Sequence, residues 1–150
     1  VSGLRLEKAR ECGADIVVNT RERDFEEAFV EFFGPDKADI IYDCAGNDIT
    51  MGQAIKHARK GSTIILVAVF AKMANVDLAV LNDHELDLNT SMMYRGEDYE
   101  KAIEELAAKG RVKLMPLLSK RFPFREYLEA YKYIDENRES TMKVLIDVQK

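Results

Sequence analysis

Residues 62–69, STIILVAV, form an almost unbroken apolar run in the middle of the chain. A β-strand covered on both faces has this composition, whereas a strand with one solvated face alternates apolar and polar residues. The run is too short to cross a bilayer. It therefore predicts a central strand of a parallel sheet.

Strand-like and helix-like patterns alternate on both sides of this run. Strand-like segments are DIVVN (15–19), ADIIYDC (38–44), ELDLNTSMMY (85–94), part of LMPLLSKRFPF (114–124) and MKVLIDV (142–148). Apolar residues at helical spacing predict helices over 4–12, 24–33, 49–60, 99–107 and 124–134, the first four followed by Gly13, Gly34, Gly61 and Gly110. A short strand and one helical turn are expected between residues 75 and 84. This alternation predicts an α/β fold with a mainly parallel sheet.

In a parallel α/β sheet, ligands bind beyond the carboxyl ends of the strands. The loops that follow Asn19, Cys44, Val69 and Met93 are therefore the candidate ligand-binding loops. Asp43 stands at one such strand end, where its carboxylate could accept hydrogen bonds from a ligand or could cap local backbone amides. The sequence leaves these two roles open.

Composition narrows the class of protein. The 150 residues, 47% apolar and 33% charged, suffice for one soluble globular domain. A net charge of −5 with interspersed signs gives no positive surface for nucleic acid or anionic lipid, so we expect neither partner. Neither a membrane-crossing run nor a leader is expected, and two isolated cysteines, Cys12 and Cys44, are predicted to be buried thiols of a cytoplasmic protein.

Familiar catalytic motifs are absent from the sequence. It contains no GxGxxG, GxxxxGK[ST], GxSxG or HExxH. His57 and His84 have no second histidine or cysteine at ligand spacing, so no metal site is predicted. The run RERDFEE is interpreted as a solvated helix start, with Glu26 and Glu27 favoured by the helix dipole.

Several segments together carry a family resemblance that covers essentially the whole chain. RLEKARECGAD, ADIIYDCAG, KGSTIILVAVFAKM, ELDLNTSMMYRGEDYEKAIEEL and KRFPFREYLEAYKYI with MKVLIDV resemble the C-terminal half of medium-chain zinc-dependent alcohol and polyol dehydrogenases, in the sorbitol, threonine and butanediol dehydrogenase branch. The resemblance implies a Rossmann-like sheet with helices on both faces, truncated before its glycine-rich first strands. Residues 1–150 would be a partial dinucleotide-binding domain with the C-terminal return segment.

The resemblance also implies a partial site for NAD or NADP. Arg5 would lie along the adenosine side of the cofactor, although an exposed helix-start arginine is an equal alternative. The backbone after the central strand would meet the nicotinamide carboxamide, while a core role still accounts for the side chains. The nicotinamide-end residues are Val67, Ala68, Val69, Ser91, Met92 and Met93, and Tyr94 would lie near the substrate. Sorbitol-type enzymes tend to have arginine where Met93 stands, which argues against a polyol substrate.

In the family, the catalytic zinc ligands and the phosphate-binding turn lie upstream of the matched segment. No catalytic residue or zinc ligand is therefore assigned here, and the chain alone is expected to be inactive. The missing strands would leave open edges at 15–19 and 38–44, which predicts a rearranged contact between them, a homo-oligomer, or pairing with a missing N-terminal half. Alternatives are a non-catalytic α/β association module from a split gene and a fragment of a zinc-independent quinone or enoyl reductase.

Overall fold

The computed structural model describes residues 2–107 and 113–149, which form two compact units. The central unit is Glu26–Tyr99, and the flanking unit combines the residues up to Phe25 with those from Glu100 onward. Each unit contains its own parallel sheet, and helix α5 (Gly96–Ala107) crosses the boundary between the units along the chain. The predicted helix stop at Gly110 lies outside the described residues.

The central unit holds a three-stranded parallel sheet in the order β1-β2-β3. The apolar run at 62–69 supplies the second half of β2, the middle strand, which confirms the prediction of a central strand. The elements in chain order are α2 (Phe25–Phe33), β1 (Ala38–Asp43), α3 (Asp48–His57), β2 (Ala58–Leu66), α4 (Leu78–Asp83) and β3 (Asp87–Thr90).

The core of the central unit lies where α3 packs on β1 and β2. Ile64, in the middle of β2, is fully buried against Met51 and Ile55 of α3. The rest of the core comprises Ala54, Ala58 and Leu86, with Ile41, Leu66, Phe70, Val76, Val80 and Leu81 packed against it. Burial of these apolar side chains is the main force that fixes α3 on the sheet.

The predicted helix over 49–60 is wrong at its carboxyl end. Helix α3 ends at His57, and β2 begins at Ala58, which pairs with Ala38 of β1. Pairing with β1 therefore outweighs the helical pattern here. At the end of the helix, the Lys37 ammonium donates to the carbonyl of Lys56 at 2.8 Å and satisfies one of the last helical acceptors. The register between β1 and β2 then shifts past a bulge that contains Gly61 at φ +75°.

Two further strand predictions in the central unit are wrong. Residues 75–77 form no strand, because they lead directly into α4, whose first amides are capped by the Asp77 carboxylate. The strand predicted over 85–94 is only the four residues of β3, since its pairing with β2 stops at Thr90 opposite Leu66.

The flanking unit packs helices on a two-stranded parallel sheet. Its elements are α1 (Gly3–Cys12), β4 (Leu118–Pro123), α6 (Tyr127–Glu136) and β5 (Lys143–Asp147), with the later part of α5 and single 3₁₀ turns at Met115–Leu117 and Phe124–Glu126. Gly13 ends α1 at φ +111°, as predicted, and its amide donates to the carbonyls of Ala9 and Arg10. The buried Ala130 of α6 and Phe122 of β4 lie at the centre of this unit.

The strand predicted over residues 15–19 is absent. A strand exists only where its backbone groups join a neighbour's ladder, and these residues belong to neither of the sheets in the described part of the chain. The predicted contact of residues 15–19 with 38–44 and the predicted oligomer both stay predictions. Cys12 is partly buried, but Cys44 is exposed, because it follows β1 in a turn at the surface.

Candidate functional site

The carboxyl ends of β1, β2 and β3 meet at one edge of the central sheet. Asp43, at the end of β1, stands opposite Leu66, and Leu66 stands opposite Thr90 at the end of β3. Three loops leave from these ends, namely the 44–47 turn, the 67–69 loop and the 91–94 loop. The Ser91 amide donates to the Leu66 carbonyl at 2.8 Å, so the 91–94 loop begins beside the end of β2, from which the 67–69 loop leaves.

The 67–69 loop is held through its backbone and exposes its side chains. The amides of Val67 and Ala68 each donate to the carbonyl of Asp43 at 3.0 Å. Val69 is 74% exposed and Val67 is also exposed, so the core interpretation of these two side chains is wrong. The strand ends at Leu66, and the two residues lie beyond the helix that covers the sheet. The loop can thus present main-chain groups to a ligand at the sheet edge.

The 91–94 loop is an exposed apolar surface. Met92, Met93 and Tyr94 are all exposed, and Met93 has a left-handed backbone with φ +60°. The ring of Tyr94 meets that of Tyr99 edge-on, with centroids 4.8 Å apart. The hydrogen bond with Tyr94 raises the pKa of the Tyr99 phenol above its usual value of 10.0. The Tyr99 phenol therefore stays neutral at physiological pH.

Asp43 links the end of β1 to the start of α3. Its carboxylate is only 4% exposed and accepts hydrogen bonds from the amides of Ala45 at 2.9 Å and Gly46 at 3.1 Å. The Thr50 hydroxyl donates to the other carboxylate oxygen at 3.2 Å. These donors satisfy the buried charge from within the fold, so of the two roles left open by the sequence the structure supports the capping role.

The 44–47 turn approaches the 67–69 loop so closely that only glycine fits at one position. Gly46 has φ +73°, and a Cβ placed on it would lie 2.8 Å from the Cβ of Ala68. Asn47 then caps α3, because its side chain accepts from the amides of Ile49 and Thr50. The backbone of the turn and the loop are thus in direct contact.

Sequence reasoning missed the part that Gly46 and Thr50 play in this edge. A signal was present in residues 43–50, DCAGNDIT, since an asparagine followed three residues later by threonine can form a capping box. The structure contains that box, with the Asn47 amide donating to the Thr50 hydroxyl oxygen at 3.3 Å. The contact between Gly46 and Ala68 has no signature in the sequence, because it joins segments more than 20 residues apart.

Arg5 belongs to the flanking unit. It is exposed on the first turn of α1, and its guanidinium donates to the carbonyl of Arg138 at 3.4 Å. This contact is long and uses only one of the five N–H donors of the guanidinium. The geometry is compatible with either interpretation of Arg5, the adenosine contact or the helix-start surface residue.

The amino ends of β1 and β2 form a pocket of about 280 Å³ at the opposite end of the strands. Its buried histidine, His57, lies 2.9 Å from the Glu26 carboxylate, which also pairs with Lys56 at 2.8 Å. The ring of Phe29 packs on His57 with centroids 4.3 Å apart. These hydrogen bonds, first with Lys56 and then with His57, lower the pKa of Glu26 below 4.5. Glu26 therefore connects α2 to α3, in addition to belonging to the solvated helix start that the sequence predicted.

Ligand groups for a metal ion do not assemble in the described part of the chain. Among residues 2–107 and 113–149, no three His, Cys, Asp or Glu side chains lie close enough to hold one. The described residues therefore do not fit a catalytic zinc. A nicotinamide fits better, because the 67–69 loop offers backbone groups and Gly46 keeps side-chain atoms away from them. No helix within these ranges is long and apolar enough to span a membrane.

Comparisons with known proteins agree with this geometry. Residues 1–108 match the family of zinc-binding dehydrogenases. Sorbitol dehydrogenase 1 of Saccharomyces cerevisiae is 26% identical over 148 residues, which cover 95% of this chain and 41% of the yeast protein. Sorbitol dehydrogenase of Ovis aries is 31% identical over 133 residues, covering 87% of this chain and 37% of the sheep protein.

Solved structures give the same fold. An alcohol dehydrogenase of Escherichia coli CFT073, crystallised with NADH, superposes with a TM-score of 0.80 at 26% identity, covering 95% of this chain and 41% of that one. The α/β, parallel and Rossmann-like fold expected from the sequence is thereby confirmed. The chain spans about two fifths of the length of these relatives and corresponds to their C-terminal part. The chain belongs to the zinc-binding dehydrogenase family.

Proposed function

We propose that this chain forms the nicotinamide side of the cofactor site in an NAD(P)-dependent, zinc-dependent alcohol or polyol dehydrogenase. The whole enzyme would transfer hydride between a secondary alcohol and the nicotinamide, and the chain alone would be inactive. The observation that carries this proposal is that the 67–69 and 91–94 loops leave from adjacent strand ends at the carboxyl edge of the parallel sheet. Family membership supports it independently.

The residues of the edge have separate tasks in this proposal. The main chain of Val67, Ala68 and Val69 would orient the nicotinamide carboxamide, since hydrogen bonds to the Asp43 carbonyl hold Val67 and Ala68 and the side chains of Val67 and Val69 are exposed. Ser91, Met92 and Met93 would line the other side of the ring. The exposed thioethers of the two methionines would exclude water there. When bound, the nicotinamide itself supplies the hydride acceptor or donor.

Tyr94 would contact the substrate, and Arg5 would contact the adenosine side. The phenol of Tyr94 can donate one hydrogen bond to a hydroxyl of the substrate. The guanidinium of Arg5 can stack on a base or donate to a ribose or phosphate oxygen. Zinc would be held by residues outside those described, so none of its chemistry is assigned to this chain.

This proposal has consequences for organisation and setting. Residues 1–150 would be a partial dinucleotide-binding domain with the return segment of the enzyme, working in the cytoplasm as part of a homo-oligomer or with an N-terminal half. We do not expect nucleic acid or membrane as partners, because the net charge is −5 without a basic patch in the sequence.

Titration of the purified chain with NADH, followed by nicotinamide fluorescence, tests the proposal. We expect saturable binding with a Kd on the order of 1 mM, since only part of the site is present. Replacing Arg5 by Gln should weaken both NADH and ADP-ribose a few-fold, whereas the matched exposed arginine on the same helix, Arg10, should tolerate the same change. Absence of saturable binding would contradict the proposal for this chain.

A non-catalytic association module is the second candidate, and one observation favours it. Ile40 and Tyr42, on the edge strand β1, are 57% and 62% exposed. Apolar side chains on an unpaired strand edge favour pairing with another chain. The NADH titration, combined with sedimentation at rising protein concentration, separates the candidates, because an association module should dimerise and yet show no NADH binding.

A further inference from the structure

Asp43 contacts both loops that flank the carboxyl edge of β1. Its carboxylate accepts from the amides of Ala45 and Gly46 in the 44–47 turn, at 2.9 and 3.1 Å. Its main-chain carbonyl accepts from the amides of Val67 and Ala68, both at 3.0 Å. One residue thus fixes the turn through its side chain and the 67–69 loop through its backbone.

Burial makes this arrangement rigid. With 4% of its surface exposed, the Asp43 carboxylate has little water to replace a lost protein donor. A hydrogen bond to a buried ionised group is stronger than one between neutral groups, and leaving such a group without a donor is correspondingly costly. The turn therefore has one strongly preferred position relative to β1.

The turn transmits that position to the 67–69 loop by direct contact. At Gly46 an added Cβ would come within 2.8 Å of the Ala68 Cβ and 3.4 Å of the Val69 carbonyl oxygen. At so close an approach the turn cannot move toward the loop without a steric clash. A shift of the turn would therefore move the loop, even though the loop's own hydrogen bonds run to the Asp43 backbone.

We propose that Asp43 is a positioning residue for the nicotinamide-binding backbone of the 67–69 loop, acting through Gly46. This proposal rests on the proposed function, because it takes the loop to be the part that meets the nicotinamide. Asp43 itself would touch no cofactor. Its contribution is to hold main-chain groups in their binding positions before the cofactor arrives, which reduces the ordering cost of binding.

The binding test compares two ligands on the full chain. Asp43→Ala should weaken NADH about tenfold and ADP-ribose less than about twofold, because only NADH carries the nicotinamide. Asp43→Asn, which keeps one acceptor oxygen, should recover most of the loss. Asp77→Ala is the matched control, since the Asp77 carboxylate also accepts from two amides, both at 3.1 Å, but caps α4 rather than the 44–47 turn. Equal weakening of both ligands by Asp43→Ala would overturn the proposal.

A ligand-free test uses amide hydrogen exchange. In Asp43→Ala the amides of Val67 and Ala68 should exchange about tenfold faster, while that of Ile64 in the middle of β2 stays within about twofold. Unchanged exchange at Val67 and Ala68 would overturn the positioning role even if NADH binds. If the unsubstituted chain binds no NADH, the proposed function fails. The hydrogen-exchange rates of Val67 and Ala68 then decide by themselves whether Asp43 orders the loop.

A second pair of variants guards against misfolding of Asp43→Ala. Gly46→Ala and Gly61→Ala carry the same backbone strain, with φ +73° and +75°, but only Gly46 has a neighbour within 4 Å. Gly46→Ala should therefore reproduce the selective loss of NADH affinity, and Gly61→Ala should not. Adding Ala68→Gly to Gly46→Ala removes the clashing atom and should restore part of the affinity. Identical NADH affinities for the two alanine variants would contradict transmission through Gly46.

Discussion

The two ends of the central sheet are held together by different means. At the carboxyl edge, one buried carboxylate and backbone hydrogen bonds fix three loops whose side chains remain exposed. At the amino edge, the half-exposed side chain of Glu26 reaches Lys56 and His57 and closes a pocket of about 280 Å³. The pocket therefore lies at the amino edge, whereas the loops that are held through their backbone lie at the carboxyl edge. The candidate cofactor site is at the edge with the ordered loops and not at the edge with the pocket.

The largest loss of stability should appear when the buried carboxylate of the carboxyl edge is removed. Asp43→Ala leaves two amides and a hydroxyl without their charged acceptor, so the free energy of unfolding should fall by about 3 kcal/mol. Asp77→Ala, which loses an exposed helix cap, should cost about 1 kcal/mol. Urea denaturation measures both values. Equal losses would mean that burial of Asp43 adds nothing to its capping role.

Close packing at the carboxyl edge should give the next largest effect. Gly46→Ala adds a steric clash to left-handed strain and should cost about 3 kcal/mol, against about 1 kcal/mol for Gly61→Ala, which has the strain alone. Thermal and urea unfolding of the two variants give the difference directly. A gap below about 0.5 kcal/mol would show that the turn can move away from Ala68.

The amino edge stores backbone strain that a glycine should relieve. Lys37 has φ +62° and ψ −165°, a region that is favourable only for glycine. Lys37→Gly should therefore be more stable than Lys37→Met by about 1 kcal/mol, because both variants lose the ammonium contact to Lys56 and only one keeps the strain. Comparative urea unfolding tests this order. A Lys37→Met variant more stable than Lys37→Gly would show that the backbone at residue 37 is not strained.

The ion pairs of the amino edge should give the smallest effect, and one that depends on pH. Glu26→Gln should cost about 0.5 kcal/mol at pH 7, since the pairs are partly solvated. Because Lys56 and His57 lower the pKa of Glu26, its stabilisation is present above pH 4.5 and disappears as the pH falls through the lowered value. The free energies of unfolding of the unsubstituted chain and of Glu26→Gln, measured between pH 7 and pH 3, should therefore converge at the acid end. A gap that persists there would contradict the ion-pair account.

The sequence predicted the elements whose pattern is local and strong. The apolar run at 62–69 identified the middle strand, and Gly13 identified the end of α1. Residues 15–19 failed because a strand depends on a neighbour that the pattern of a single segment does not reveal. The helix predicted through Lys60 failed for the same reason, since pairing of Ala58 with Ala38 overrode helical spacing.

The sequence predicted where the candidate site lies but not how its residues are arranged. The rule that ligands bind beyond the carboxyl ends of parallel strands pointed to the loops after Val69 and Met93, and the family resemblance pointed to residues 67–69 and 91–94. In the structure those residues begin directly after the ends of β2 and β3. The sequence could not decide whether Asp43 faces a ligand or its own turn, because that depends on where Thr50 and the two amides lie. Exposure of Val69 was missed, since an apolar residue at a strand end has the same pattern whether it is covered or not.

Mapping NADH on the assigned amide spectrum of the full chain tests the central claim most directly. Saturable shifts should be confined to the carboxyl edge, at Val69, Ser91 and Met93, and should be absent from Phe29 and His57 at the amino-edge pocket. Shifts at the pocket with none at the three edge residues would contradict the claim that this edge holds the nicotinamide.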